Sequence, residues 1–79
     1  MGRYYRLSKK ITEDMATEIL KEIHDISDVE KAEFAEEKTK ILILTGEKKY
    51  PEVMTKIVNI FSRIGVDCAL SFAGFAYEE

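Results

Sequence analysis

The side chains here with the chemical types to do more than pack are Glu13, Asp14 and Met15 in consecutive positions, His24, and the single cysteine Cys68. Glu13 and Asp14 could attract a hard cation, but they stand at the start of a helical pattern, where negative charge complements the helix dipole. Met15 opens the apolar stripe of that pattern, and methionine is a usual packing filler. Cys68 alternates with Val66, Leu70 and Phe72, which predicts an inward-facing, unreactive thiol. His24 lies beside the stripe, with no second histidine in the chain, and reads as a solvated helix residue rather than a general base. No glycine-rich phosphate loop, His–carboxylate pair or metal motif can be placed. Neither an enzyme nor a bound cofactor is therefore expected.

The elements that must position these residues belong to one small domain spanning 1–79, because 79 residues cannot build two cores. With 46% hydrophobic and 34% charged residues the chain should fold alone. Twelve Lys and Arg against 15 Asp and Glu give a net charge of −3, which argues against a protein that coats duplex nucleic acid. Apolar runs of only a few residues exclude direct membrane insertion by a helix. One cysteine excludes an internal disulfide, and the opening Met1-Gly2-Arg3-Tyr4-Tyr5-Arg6 has no apolar leader segment, so the expected location is cytoplasmic.

Along the chain, Arg3 to Ser8 alternates as a strand, with Tyr5 and Leu7 on one side and Tyr4 and Arg6 on the other. From Thr12, a good N-cap, Met15, Ile19, Ile23 and Ile26 recur at helical spacing, widened by Ala16 and Leu20. Val29, Ala32 and Phe34 supply a second strand, and Glu36-Glu37-Lys38 the hairpin turn. Lys40-Ile41-Leu42-Ile43-Leu44-Thr45 is a strand with apolar residues on both faces. Pro51 starts a second helix, with Val53, Ile57, Ile60, Phe61 and Ile64 as its stripe and Gly65 at its end. Val66 to Phe72 alternates as the last strand, leaving 73–79 as a C-terminal tail. The order βαββαβ predicts an α+β, ferredoxin-like sandwich: a four-stranded antiparallel sheet with two helices on one face.

That architecture leaves the other sheet face open. Alternation assigns Tyr4, Arg6, Leu42, Leu44, Ala69 and Ser71 to it. Two leucines on an open face call for cover by a protein partner, by a second copy, or by the tail through Phe75 and Tyr77. Tyr4 is the only aromatic expected there and the chain is acidic, so base stacking and a nucleic-acid partner are not expected.

The runs Tyr5 to Ile19, Ile26-Ser27-Asp28-Val29-Glu30-Lys31-Ala32 and Lys38 to Ile43 resemble the heavy-metal-associated domain, the module of copper chaperones and of the N-termini of metal-transporting P-type ATPases. The resemblance covers residues 4 to 72 and implies the same fold. It also implies a cytosolic domain of a cation-transporting ATPase as a setting. That family grips soft ions with a Cys-x-x-Cys at the first strand–helix junction, and the matching positions here are Thr12 and Met15. A hydroxyl and one thioether are poor ligands for a soft ion, so the resemblance implies a degenerate member without a high-affinity metal site. It would act as an interaction or regulatory domain through the surface around Tyr4, Arg6, Leu42, Leu44 and Ala69. The alternative is weak heavy-metal binding by Met15 with Glu13 and Asp14.

Overall fold

The alternating and helical stripes of the sequence form strands and helices in the computed structural model, which describes residues 2–65 and 67–76. In chain order these are β1 (Gly2–Leu7), α1 (Glu13–His24), β2 (Val29–Ala35), β3 (Lys40–Thr45), α2 (Tyr50–Ile64) and β4 (Leu70–Ala76), and a 3-10 turn, Glu47–Lys49, leads into α2. The strands make one antiparallel sheet in the order β2-β3-β1-β4. This is the ferredoxin-like α+β arrangement. Ile19 and Ile23 of α1 and Val53, Ile57 and Phe61 of α2 share one core with Ile41 and Ile43 of β3, and each of the seven is at most 1% exposed. Burial is worth about 1.5–3 kcal/mol for each such side chain, so this layer contributes a large share of the folding drive. No helix among the described residues is long and apolar enough to cross a membrane.

Helix α1 starts as its sequence dictates. Thr12 is extended (φ −78°, ψ 166°), and its hydroxyl accepts the Met15 N–H at 3.1 Å, satisfying one of the orphan donors of the first turn. Helix α2 begins at Tyr50, with Pro51 in its first turn, where the missing N–H costs nothing. Gly65 closes α2 without a left-handed cap, since its φ is −82°. Its N–H bonds the Phe61 carbonyl at 2.9 Å, and a β-carbon there would lie 2.6 Å from that oxygen. Close approach, not positive φ, requires glycine here.

The last strand departs from the sequence reading. Val66 lies outside the described residues, Cys68 and Ala69 precede the strand, and β4 runs from Leu70 through Ala76, so 73–76 is strand rather than tail. The cause is a β-bulge. Tyr5 pairs with Phe72 and Tyr4 with Gly74, leaving Ala73 as the extra residue, and Gly74 takes φ +130°, open to glycine. One inserted residue inverts the alternation, so Phe75 joins Phe72 on the helix side of the sheet, their ring centroids 5.0 Å apart. The expected cover of the open face by Phe75 therefore does not form, and Tyr77 lies outside the described residues.

The β2–β3 hairpin turns where expected, by an unusual path. Glu36, Glu37 and Lys38 all have positive φ, at 49°, 57° and 67°. The Thr39 N–H and hydroxyl both donate to the Glu36 carbonyl, at 3.1 and 2.7 Å, and Lys40 pairs with Glu36 at 2.7 Å, which holds the Glu36 carboxyl below its ordinary pKa. A left-handed non-glycine residue costs about 1–2 kcal/mol, more than the roughly 0.5–1 kcal/mol of extra chain entropy that glycine loses on folding. Glu37→Gly is accordingly expected to raise stability by about 0.5 kcal/mol, seen as a higher urea midpoint at unchanged slope. Glu37→Val, β-branched at a left-handed position, should lower the midpoint.

Candidate docking surface

Three places in the fold could act on something else: the start of α1, the open sheet face and the outer edge of β4. At the start of α1, the Thr12 hydroxyl is engaged by the Met15 N–H, and the Met15 side chain packs against the core. Glu13 is paired with the Lys38 ammonium from the β2–β3 hairpin, and Asp14 is exposed. Among the described residues no group of three or more His, Cys, Asp or Glu side chains comes together. Cys68 is buried as the alternation predicted, with Sγ 3.8 Å from the Lys9 carbonyl. The His24 ring, expected to be solvated, places Nε2 3.3 Å from the Ala32 carbonyl.

The open face carries Tyr4, Arg6, Leu42 and Leu44 as alternation requires. Ala69 is not on it. It sits in the loop before β4, where its N–H donates to the Ser8 hydroxyl at 2.8 Å and its carbonyl accepts the Ser8 N–H at 2.9 Å. Leu42 is only 8% exposed, although no helix lies over it. A β-carbon on Gly2 would come within 2.8 Å of Leu42 Cδ1, so the leucine lies across the bare glycine, with Ala76 alongside. Tyr4 and Leu44 are half-buried, and opposite the leucines on β2 stand Glu33 and Lys31, which pair at 3.7 Å. The face covers its own leucines to a large extent.

The third place is where apolar surface does lie open. The exposed large hydrophobic residues among those described are Val58 (46%), Phe72 (53%) and Phe75 (46%), and all three belong to β4 and the outer side of α2. They adjoin a shallow pocket of about 280 Å³ between α2 and the sheet, whose walls include Met54, Val58, Leu70 and Phe72, with Arg3 as its charged group. Helix α2 sets this edge through Tyr50. Its ring is 1% exposed, its hydroxyl donates to the Ile43 carbonyl at 3.1 Å, and it accepts the Thr45 N–H at 3.4 Å. The Arg3 guanidinium stacks 4.1 Å from the Tyr50 ring centroid and lies 5.8 Å from that of Phe75. Sequence reasoning missed this surface because it depends on the bulge. A glycine between two aromatics three positions apart, Phe72-Ala73-Gly74-Phe75, was the available signal.

Comparison with known proteins returns a likeness of fold. No family model matches the chain, and no curated protein matches it in sequence. A chain solved in work on crosstalk between Cu(I) and Zn(II) homeostasis superposes with a TM-score of 0.62 at 10% identity, over 92% of this chain and 98% of that one. At that identity the likeness shows the fold alone.

Burial pushes the Tyr50 phenol above its ordinary pKa of 10.0, against smaller opposing effects of the Thr45 N–H and Arg3. The unfolded chain therefore ionises first. The stability contributed by the neutral phenol is intact below about pH 10 and is lost as pH rises through the raised folded value. Tyr50→Phe is expected to cost about 1–2 kcal/mol at neutral pH, because two backbone groups lose a buried partner. The variant should also lose stability less steeply than the parent as pH rises above about 10, as read by chemical denaturation.

Proposed function

We propose that this chain is a non-catalytic docking domain of the heavy-metal-associated type, which binds a protein partner through the edge made by β4 and the outer side of α2. The observation that carries this reading is the gathering of Val58, Phe72 and Phe75 on one edge, since clustered exposed apolar side chains mark contact surfaces. The half-buried Tyr4 and Leu44 make the open face a smaller, secondary contact. The side chains with reactive potential are given to structure: Cys68 is buried, the Tyr50 hydroxyl bonds β3, and His24 meets the Ala32 carbonyl. The resemblance gives the setting, next to or within a cation-transporting P-type ATPase on the cytoplasmic side.

The donor set at the first strand–helix junction does not fit a soft ion. Thr12 offers a hydroxyl already accepting a backbone hydrogen bond, Met15 a single thioether packed against the core, and Glu13 a carboxylate paired to an ammonium. Native mass spectrometry after anaerobic exposure to Cu(I), Zn(II) and Cd(II) is expected to show no stoichiometric metal. A metal ion retained by the parent and lost in Met15→Ala would instead establish a metal-handling role.

A photo-crosslinking amino acid placed at Phe75, Phe72 or Leu44 tests the surface in the native host. Crosslinks to one defined protein are expected from Phe75 and Phe72, and more weakly from Leu44. Crosslinks from Leu44 alone would move the docking surface to the open face.

A further inference from the structure

The two edges of the sheet are built differently. Strand β2, at one edge, carries Glu30, Lys31 and Glu33, the charges that keep an exposed edge from pairing with other chains. Strand β4, at the other, reads Leu-Ser-Phe-Ala-Gly-Phe-Ala, without a charge in seven residues. An uncharged edge beside exposed apolar side chains is an arrangement that accepts an added strand, with backbone pairing for affinity and side-chain pockets for selection.

Arg3 specifies what the added strand carries. It is the charged residue of the pocket beside β4, its guanidinium is held against the Tyr50 ring, and no carboxylate pairs with it among the described residues. Strand β4 has no carboxylate of its own with which a second copy of that strand could meet Arg3. From these observations we infer that the β4 edge binds an extended peptide segment of a partner in which a glutamate and an aliphatic or aromatic residue stand two positions apart. This rests on the docking reading above and names its ligand.

The spacing follows from the register. Arg3 pairs across the sheet with Phe75 and Tyr5 with Phe72, so the bulge fits three positions of β4 into the span of two regular positions, as counted on β1, with both rings on the same side. An added strand therefore meets Phe72, Val58 and Met54 with one side chain and Arg3 with the next on that face, because same-face side chains recur every second residue. The added strand lies two strand spacings from β1, about 9–10 Å. The longer reach of glutamate suits that gap better than aspartate does.

A random seven-residue peptide library displayed on phage, panned against the whole domain, tests the inference. The enriched sequences are expected to carry Glu two positions from Leu, Ile, Val or Phe, and a synthetic peptide of the best sequence should shift the backbone amide signals of 70–76. Its affinity should fall about ten-fold in Arg3→Gln and less in Arg3→Lys, consistent with a charge-assisted hydrogen bond. The same peptide with Glu replaced by Gln should lose a similar factor on the parent and little more on Arg3→Gln. Thermal unfolding of each variant confirms that the domain remains folded. Peptides that shift 70–76 without a preference for Glu, or a preference that survives Arg3→Gln, would overturn the glutamate assignment while leaving docking at this edge intact. Absence of any peptide acting on 70–76, or a dimer of the parent whose β4 is protected from exchange, would overturn peptide docking at this edge altogether.

Discussion

The arrangement of this domain hangs on the burial of one phenol. Tyr50 is the first residue of α2, yet its hydroxyl bonds the backbone at the end of β3, so the start of the helix and the end of the central strand are fixed to one another. Arg3 of β1 then stacks on the outer side of the ring, and Phe75 of β4 lies beyond Arg3. One side chain thereby organises a helix and three strands. The neighbouring Thr45 hydroxyl donates to the Asp28 carbonyl, which joins the turn before β2 to the same end of the molecule. Polar groups this deep are tolerated only when paired, and among the described residues no buried side-chain nitrogen or oxygen lacks a partner.

A second constraint is the single inserted residue in β4. Without the bulge, Phe75 would project from the opposite face of the sheet to Phe72, next to Leu42 and Tyr4. With it, the two rings meet in an edge-on contact with an interplanar angle of 67° on the helix side. Aromatic surface is moved from the face of the sheet to its edge. The open face is left to Leu42 lying on Gly2, and a small backbone residue takes the place of a covering element.

Much of this was readable from the chain. The stripes of α1 and α2, the Thr12 cap, the hairpin at Glu36 to Lys38 and the two-sided apolarity of β3 are local patterns, and each appears where its spacing puts it. The order of elements then leaves few ways to close a sheet. What escaped were features decided between segments. Ala73-Gly74 interrupts the alternation and reads locally as the start of a tail, although the pairing of Gly74 with Tyr4 and of Ala76 with Gly2 keeps it in the sheet. The exposure of Val58, the shelter of Leu42 and the stacking of Arg3 on Tyr50 depend on register and on side chains far apart in sequence. No periodicity encodes them.

The lone thiol has a practical meaning of a different kind. Cys68 is 3% exposed, wedged between the loop after β1 and the lead-in to β4, and a β-carbon on Gly65 would come within 3.1 Å of its Cβ. A reagent that alkylates thiols can reach it only when that corner of the molecule opens. The rate of its modification therefore counts openings of the segment joining α2 to β4. The molecule carries a built-in clock for the motion of the strand on which its exposed edge depends.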